Sequence, residues 1–390
     1  MYRNCILAWA SMLTVLSTTS AWTPASTIAT DLLAASGLVK LAAYEAGHSG
    51  PGQCTLDNIS IRQEWTQMAP SERQKYTNAV LCLQSKPSKF PPGVVPGAKT
   101  RYDDFVAVHM NQTLLIHGTA NFLSWHRLFT WNYEQALRNE CGYQGTQPYW
   151  NWGKSAFDPI NSPMFDGSDY SMGGNGVFEA HNCTQALPTG VNCIPPGQGG
   201  GCVKTGPFKN YVVDMGPFSP TLAEPEDTAV PLLAYNPRCL KRDVSPWVSS
   251  NWTKDSDTYN LITQSPDILT FQNVMQGNGF PGGFFGVHAG GHYTIGGDPG
   301  GDFFASPGDP AFFLHHGMID RVWWIWQNQD PANRLNAIGG TITFFNQPPG
   351  RNGTLTDNLD MFNLGPSSEI GGVMSTLGNP GGPGLCYTYV

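Results

Sequence analysis

The sequence predicts a mainly α fold with long, disulfide-stapled loops and a few short strands. Three observations carry this reading. Helical periodicity marks the segments that hold grouped histidines, residues 153–270 are crowded with Pro, Gly and Asn, and eight cysteines remain once a removable leader is set aside. Charged residues make up only 13% of the chain, about half the usual share, while aromatics reach 12%. That composition describes a large aromatic core. Length alone allows two or three domains, yet no repeat, charge run or Ser/Gly-rich linker divides the chain, so residues 22–390 read as one domain. The net charge of −8 has no basic cluster against it, which argues against a nucleic-acid partner.

The elements follow in order. Arg3 precedes an apolar run at 6–16, and "STTSA" ends in small residues, so residues 1–21 read as a secretory signal cleaved after Ala21. The run is too short for a membrane anchor and no other segment is long enough to span. Removing the leader removes Cys5 and leaves an even eight, which in an exported chain favours disulfides over a thiolate metal site. Cys183, Cys193 and Cys202 are placed to restrain the Gly/Pro-rich loop between them. Five sequons, at Asn58, Asn111, Asn182, Asn251 and Asn352, agree with export.

Residues 26–46 are Ala/Leu-rich and helical in pattern. Residues 61–84 read as two helical pieces broken at Pro70, the second opened by a capping box of Ser71 and Gln74. Further helices are expected at 103–112, 122–140 and near 284–293. The last one starts at Asp309, as N-cap, with Pro310 at the first helical position. "TITFF" (341–345) and the tail "CYTYV" read as short strands.

Seven of the nine histidines are grouped on these helices, whereas His48 and His181 sit among small polar residues and read as surface. His109 lies on "DDFVAVHM", His117 follows "TLLI", and His126 sits in "NFLSWHRLFTWNYE". His288 and His292 are one turn apart and share a helix face, as a metal clamp requires. Ala289 stands where zinc proteases need a Glu, so that chemistry is excluded. Phe312, His316, Ile319 and Trp323 share another face, and His315 lies about 100° away from it. Two adjacent histidines therefore predict one ligand and one packing residue. Neutral imidazoles without nearby carboxylates favour copper or zinc. Three ligands for one zinc would use only half the set; six suit two copper ions.

The stretch "HGTANFLSWHRLFTWNYE" (117–134) resembles the first copper motif of the tyrosinase, catechol oxidase and haemocyanin family, and "DPAFFLHHGMIDR" (309–321) resembles its second. The resemblance runs from "IRQEW" near 61 to "YTY" at 387–389, similar to the tyrosine motif that closes the family's core domain. It covers about 61–390 and is nearest to the short secreted fungal members. What it implies is an antiparallel four-helix bundle around a type-3 dicopper site. One copper would be held by His109, His117 and His126, the other by His288, His292 and His316. Asp320 would support the ligands, with His315 packing beside them.

The implied reaction is oxidation of small phenols by O2 as co-substrate. Members that hydroxylate monophenols often carry Asn after the first histidine of the second site, held with a nearby Glu around an activating water. Here the position is Ala289, and no Glu occurs between Gln264 and His288. Phe303 stands where catechol oxidases place a bulky gate, and Tyr293 joins Ala289 and Phe303 as a candidate access residue. Leu115 replaces the Cys that some members cross-link to a ligand histidine. These departures point to a secreted catechol oxidase that converts o-diphenols to o-quinones with weak or no monophenol hydroxylation. The alternatives are a tyrosinase with true monophenolase activity and an oxidase of o-aminophenols or secondary metabolites. A haemocyanin-like oxygen carrier would use the same ligands, but carriers form repeated or giant assemblies. A monomer or weak homo-oligomer is expected, with no membrane partner.

Overall fold

A computed structural model describes residues 22–48, 54, 58–185, 193–222, 229–279 and 281–389; the leader expected at 1–21 lies outside them. Helices form where apolar periodicity meets a start signal. Helix α1 spans Ile28–His48, α2 Pro70–Ser85, α3 Arg101–Ile116 and α4 Phe122–Cys141. At the start of α3 the Thr100 hydroxyl accepts the Asp103 N–H while the Asp103 carboxylate accepts the Thr100 N–H, a reciprocal cap. Helix α4 stops at Gly142, whose φ of 69° lets its N–H turn back to the Arg138 carbonyl. Short helices α5 (Trp152–Ser155), α6 (Pro246–Trp252), α7 (Asp255–Gln264) and α8 (Ile268–Met275) lead to α9 (Gly286–Ile295), α10 (Ala311–Gln329) and α11 (Pro331–Arg334).

Every sheet among the described residues has two strands. Strand β1 (Ser60–Arg62) pairs in parallel with β10 (Tyr387–Tyr389), joining the two ends of the core. The others are antiparallel loop hairpins or pairs: β2 (Gly176–Phe178) with β5 (Gly200–Val203), β3 (Thr184–Gln185) with β4 (Cys193–Ile194), β6 (Val212–Val213) with β7 (Arg238–Cys239), and β8 (Asn358–Leu359) with β9 (Ser368–Glu369).

Several local expectations are corrected. The first piece of 61–84 is β1 and a 3-10 turn at Trp65–Gln67, because Arg62 is turned into the core by pairing with a strand 327 residues away in register. Helix α2 starts at Pro70 with Ala69 as an N-cap that makes no side-chain bond; the fixed φ of Pro70 does what the Ser71 box was expected to do. Between 153 and 270 the chain is not all loop, since α6 and α7 are short helices capped by Ser245 and by Asp257. "TITFF" is no strand: Thr341 makes an isolated bridge to Asn352 and Phe344–Asn346 form a 3-10 turn. On α10 the cap shifts by one residue to Pro310, while Asp309 still accepts the Ala311 N–H at 2.9 Å.

The core is mainly helical and centred on α3, α4, α9 and α10, a four-helix bundle with α1 and α2 packed outside it. An aromatic seam runs through it, where Phe313 stacks on Tyr133 at 3.5 Å between ring centres and on Phe129 at 5.6 Å. Four disulfides pin the rest. Cys54–Cys386 ties the ends beside β1 and β10, and Cys82–Cys141 ties α2 to α4. Cys183–Cys193 and Cys202–Cys239 staple the long loop region, so the eight cysteines are all paired. Among the described residues no helix is long and apolar enough to cross a membrane.

Candidate metal centre

Four helices deliver seven imidazoles to one buried place. His109 lies mid-way along α3, His117 is its C-cap, and His126 is in the first turns of α4. Their ring nitrogens lie within 4.8 Å of one another. A second group, His288 and His292 on α9 with His315 and His316 on α10, is equally tight. The groups adjoin, since His126 and His316 stack face to face with ring centres 4.5 Å apart and planes 15° from parallel.

The backbone sets the tautomers of the first group. His109 Nδ1–H donates to the Phe304 carbonyl (2.8 Å), His117 Nδ1–H to Thr113 (2.9 Å) and His126 Nδ1–H to Phe122 (2.7 Å). With Nδ1 carrying the proton, each Nε2 presents a lone pair, and those of His109 and His126 are buried with no hydrogen-bond partner. In the second group His288 Nε2 is likewise unpartnered, and His292 Nε2 faces His316 Nε2 at 3.2 Å. Buried acceptors aimed at one another are costly unless a cation joins them. Burial also holds all seven imidazoles below the ordinary histidine value, His117 at about 4 and His315 at about 3. Neutral nitrogen donors with no carboxylate among them fit a pair of copper ions.

His315 is closer to this centre than helical phase alone suggested. The reason is Gly291: a β-carbon there would meet His315 Cε1 at 2.1 Å. Lacking one, α9 approaches α10 closely enough to bring His288 and His292 within reach of both phases of α10. The His315 ring lies between this bare patch and Trp152, 5.2 Å away.

Asp320, expected to support the ligands, makes no hydrogen bond to a histidine. Its Oδ1 accepts from Arg127 Nε at 2.6 Å, and its Oδ2 accepts from Tyr387 at 2.7 Å, from Tyr389 and from Arg62. Arg127 follows His126 and Asp320 lies one turn after His316, so this pair locks together the helices whose rings stack. Asp302, which sequence reasoning passed over, positions His109 instead. Its oxygens accept the N–H groups of Phe304, Ala305, Phe218 and Ser219 and so fix the carbonyl that His109 meets. His181 is not a surface residue; its Nε2 lies 3.1 Å from Asp243 with the side chain 2% exposed. The side chain of His48 lies outside the described residues.

A cavity of about 370 Å³ opens onto His117, His288 and His292. Ala289, Tyr293 and Phe303 all line it, with the Phe303 ring 4.8 Å from that of His117. Phe344 and Phe345 form a further wall that the strand-like reading of "TITFF" concealed.

Residues 99–329 match the family model described as the common central domain of tyrosinase. The chain belongs to the tyrosinase family. Among its tyrosinase relatives, Tyrosinase P of Aspergillus terreus is 42% identical over 342 residues, 85% of this chain and 92% of that one. An N-acetyl-6-hydroxytryptophan oxidase of Emericella nidulans is 39% identical over 352 residues, covering 86% and 94%. A variant polyphenol oxidase from Thermothelomyces thermophila shares the fold with a TM-score of 0.86 and 42% identity, over 93% of this chain and 98% of that one. This tyrosinase-family chain is thus an oxidoreductase of the polyphenol oxidase type.

Proposed function

We propose that the protein is a secreted dicopper oxidase that converts o-diphenols to o-quinones and hydroxylates monophenols weakly or not at all. His109, His117 and His126 hold one copper. His288, His292 and His316 hold the other, because His316 faces both His126 and His292 while His315 packs against Gly291 and Trp152. When bound, the copper pair supplies O2 activation and accepts electrons from the phenol. Overall, two diphenols each give up two electrons and two protons, and one O2 becomes two waters. The protein keeps the donors neutral, excludes bulk water and admits the phenol past Phe303.

The observation that carries the diphenol preference is the absence of an available base. Ala289 offers none, and Asp302, the one carboxylate on the described cavity wall, is engaged by four backbone N–H groups. A phenol with a pKa near 10 is almost wholly neutral at pH 7, and losing a positioned base forfeits about 10²–10⁴-fold in rate. A catechol needs no oxygen insertion and tolerates that loss better. The tailoring reading retains support from the hydroxytryptophan oxidase relative. Secretion is supported by the leader-like segment, four disulfides and the exposure of all five sequon asparagines. We take residues 22–390 as a single domain acting as a monomer or weak homo-oligomer.

The test compares kcat/KM for a catechol and its matching monophenol, in wild type and in Ala289→Asn. The expected result is a catechol preference of about 100-fold or more that narrows in the variant. Comparable wild-type values would overturn the assignment.

A further inference from the structure

The cavity wall holds no charge that a substrate can use. No Lys, Arg or Glu is among its described lining residues, and its one carboxylate, Asp302, is enclosed by backbone donors. Gln276 is engaged at both ends: its Oε1 accepts the Gly118 N–H at 2.8 Å, and its amide donates to the Gln272 carbonyl at 3.1 Å. Apart from the Ser306 and Tyr293 hydroxyls and the three imidazoles, what remains is mainly hydrocarbon and aromatic surface, including Leu114, Phe303, Phe344 and Phe345.

The roof is fixed rather than draped. Phe345 and Asn346 both adopt left-handed backbone, with φ of 45° and 59°. Such a conformation is strained in a bulky residue and persists only where surroundings enforce it. Here the Phe345 N–H donates to the Gly118 carbonyl at 3.0 Å, and a β-carbon on Gly118 would lie 3.1 Å from the Phe345 ring. The Ala120 N–H adds a bond to Thr341 at 2.9 Å. The aromatic roof is therefore anchored to the loop that follows His117, at a set height above the site.

We propose that this cavity selects uncharged phenols bearing apolar substituents and discriminates against those whose side chain carries a carboxylate or an ammonium group. This rests on the reading of the cavity as the phenol site. A charged substituent would lose water and gain no partner, which is strongly unfavourable. An apolar one would meet Phe344 and Leu114 and be held by contact area.

The test measures binding to the copper-loaded protein under nitrogen, where monophenols do not turn over. The probes are 4-propylphenol, 3-(4-hydroxyphenyl)propionate and tyramine, which carry short unbranched chains and differ in charge. Salt at about 0.15 M screens the long-range field of the acidic chain. The neutral probe is expected to bind about tenfold or more tighter than either ion. Leu114→Lys, at the half-exposed lip, should bring the anion several-fold closer to the neutral probe and push the cation further away. Phe344→Leu should weaken 4-propylphenol by a larger factor than unsubstituted phenol. Equal wild-type affinity for an ionic and the neutral probe overturns the proposal, as does a charge order that neither substitution moves. If the binding order holds but no catechol is oxidised by O2, the proposed reaction fails and the selectivity of the cavity stands.

Discussion

His126 and His316 meet ring to ring between the two histidine groups, so each is tied to the neighbouring set as well as its own. Removing either side chain should abolish oxidase activity and the coupled copper pair, whereas His315→Ala should retain both ions with some loss of packing. Copper affinity of the three variants is the check, and equal loss from His315→Ala and His316→Ala would contradict the assignment. Protonation supplies a second expectation at this scale. In the copper-free fold the imidazoles resist protons until well below the ordinary histidine value of about 6.5. The unfolded chain binds protons from about pH 6.5 downward while the native state does not, so stability present above that pH is lost on acidification toward 4. Asp103 acts in the opposite sense. Burial and the nearby Asp214 push its carboxyl up to about 7 from an ordinary value of about 3.8, so its contribution is full at low pH, falls as pH rises between those values, and is gone above 7. Seven imidazoles outweigh one carboxyl, so the melting temperature of the copper-free protein should fall steeply on acidification below about 6.5 and level off near neutrality; a flat profile from pH 4.5 to 6.5 would refute this.

At the scale of elements, the bundle is held by a buried polar knot as much as by its aromatic seam. Asp320 joins Arg127 on α4, Arg62 on β1 and both tyrosines of β10, while Arg62 also pairs with Glu134 at 2.7 Å. All these groups are buried. Removing one charge strands the others, and such a loss typically costs about 3–5 kcal/mol. Asp320→Ala should therefore lower the melting temperature by many degrees even without copper, while Asp320→Asn should retain part of the loss. Thermal unfolding of both variants decides it, and an unchanged transition in Asp320→Ala would show that the knot is incidental.

Across the whole molecule, what was legible in the sequence was whatever repeats locally. Helices α3, α4, α9 and α10 announce themselves through periodicity and end signals, and their histidines through spacing. What was hidden depends on distant partners. Arg62 becomes a strand residue only because the chain returns to it at Tyr389, and Phe344 and Phe345 become a roof only because Gly118 receives them. Helical phase gave His315 and His316 different directions, but it could not foresee that a glycine on α9 would bring one centre within reach of both. The region 153–270, read as loop-like and disulfide-stapled, contains α6 and α7, and no spacing rule could pair the two disulfides that staple it.

These levels meet in one claim, that the folded chain is built to hold two copper ions on six neutral imidazoles. Metal analysis of the purified protein after copper loading and removal of excess metal tests it most directly. The architecture predicts two copper ions per chain, falling together in His126→Ala. A single ion per wild-type chain, or zinc at full occupancy in a copper-replete preparation, would contradict it.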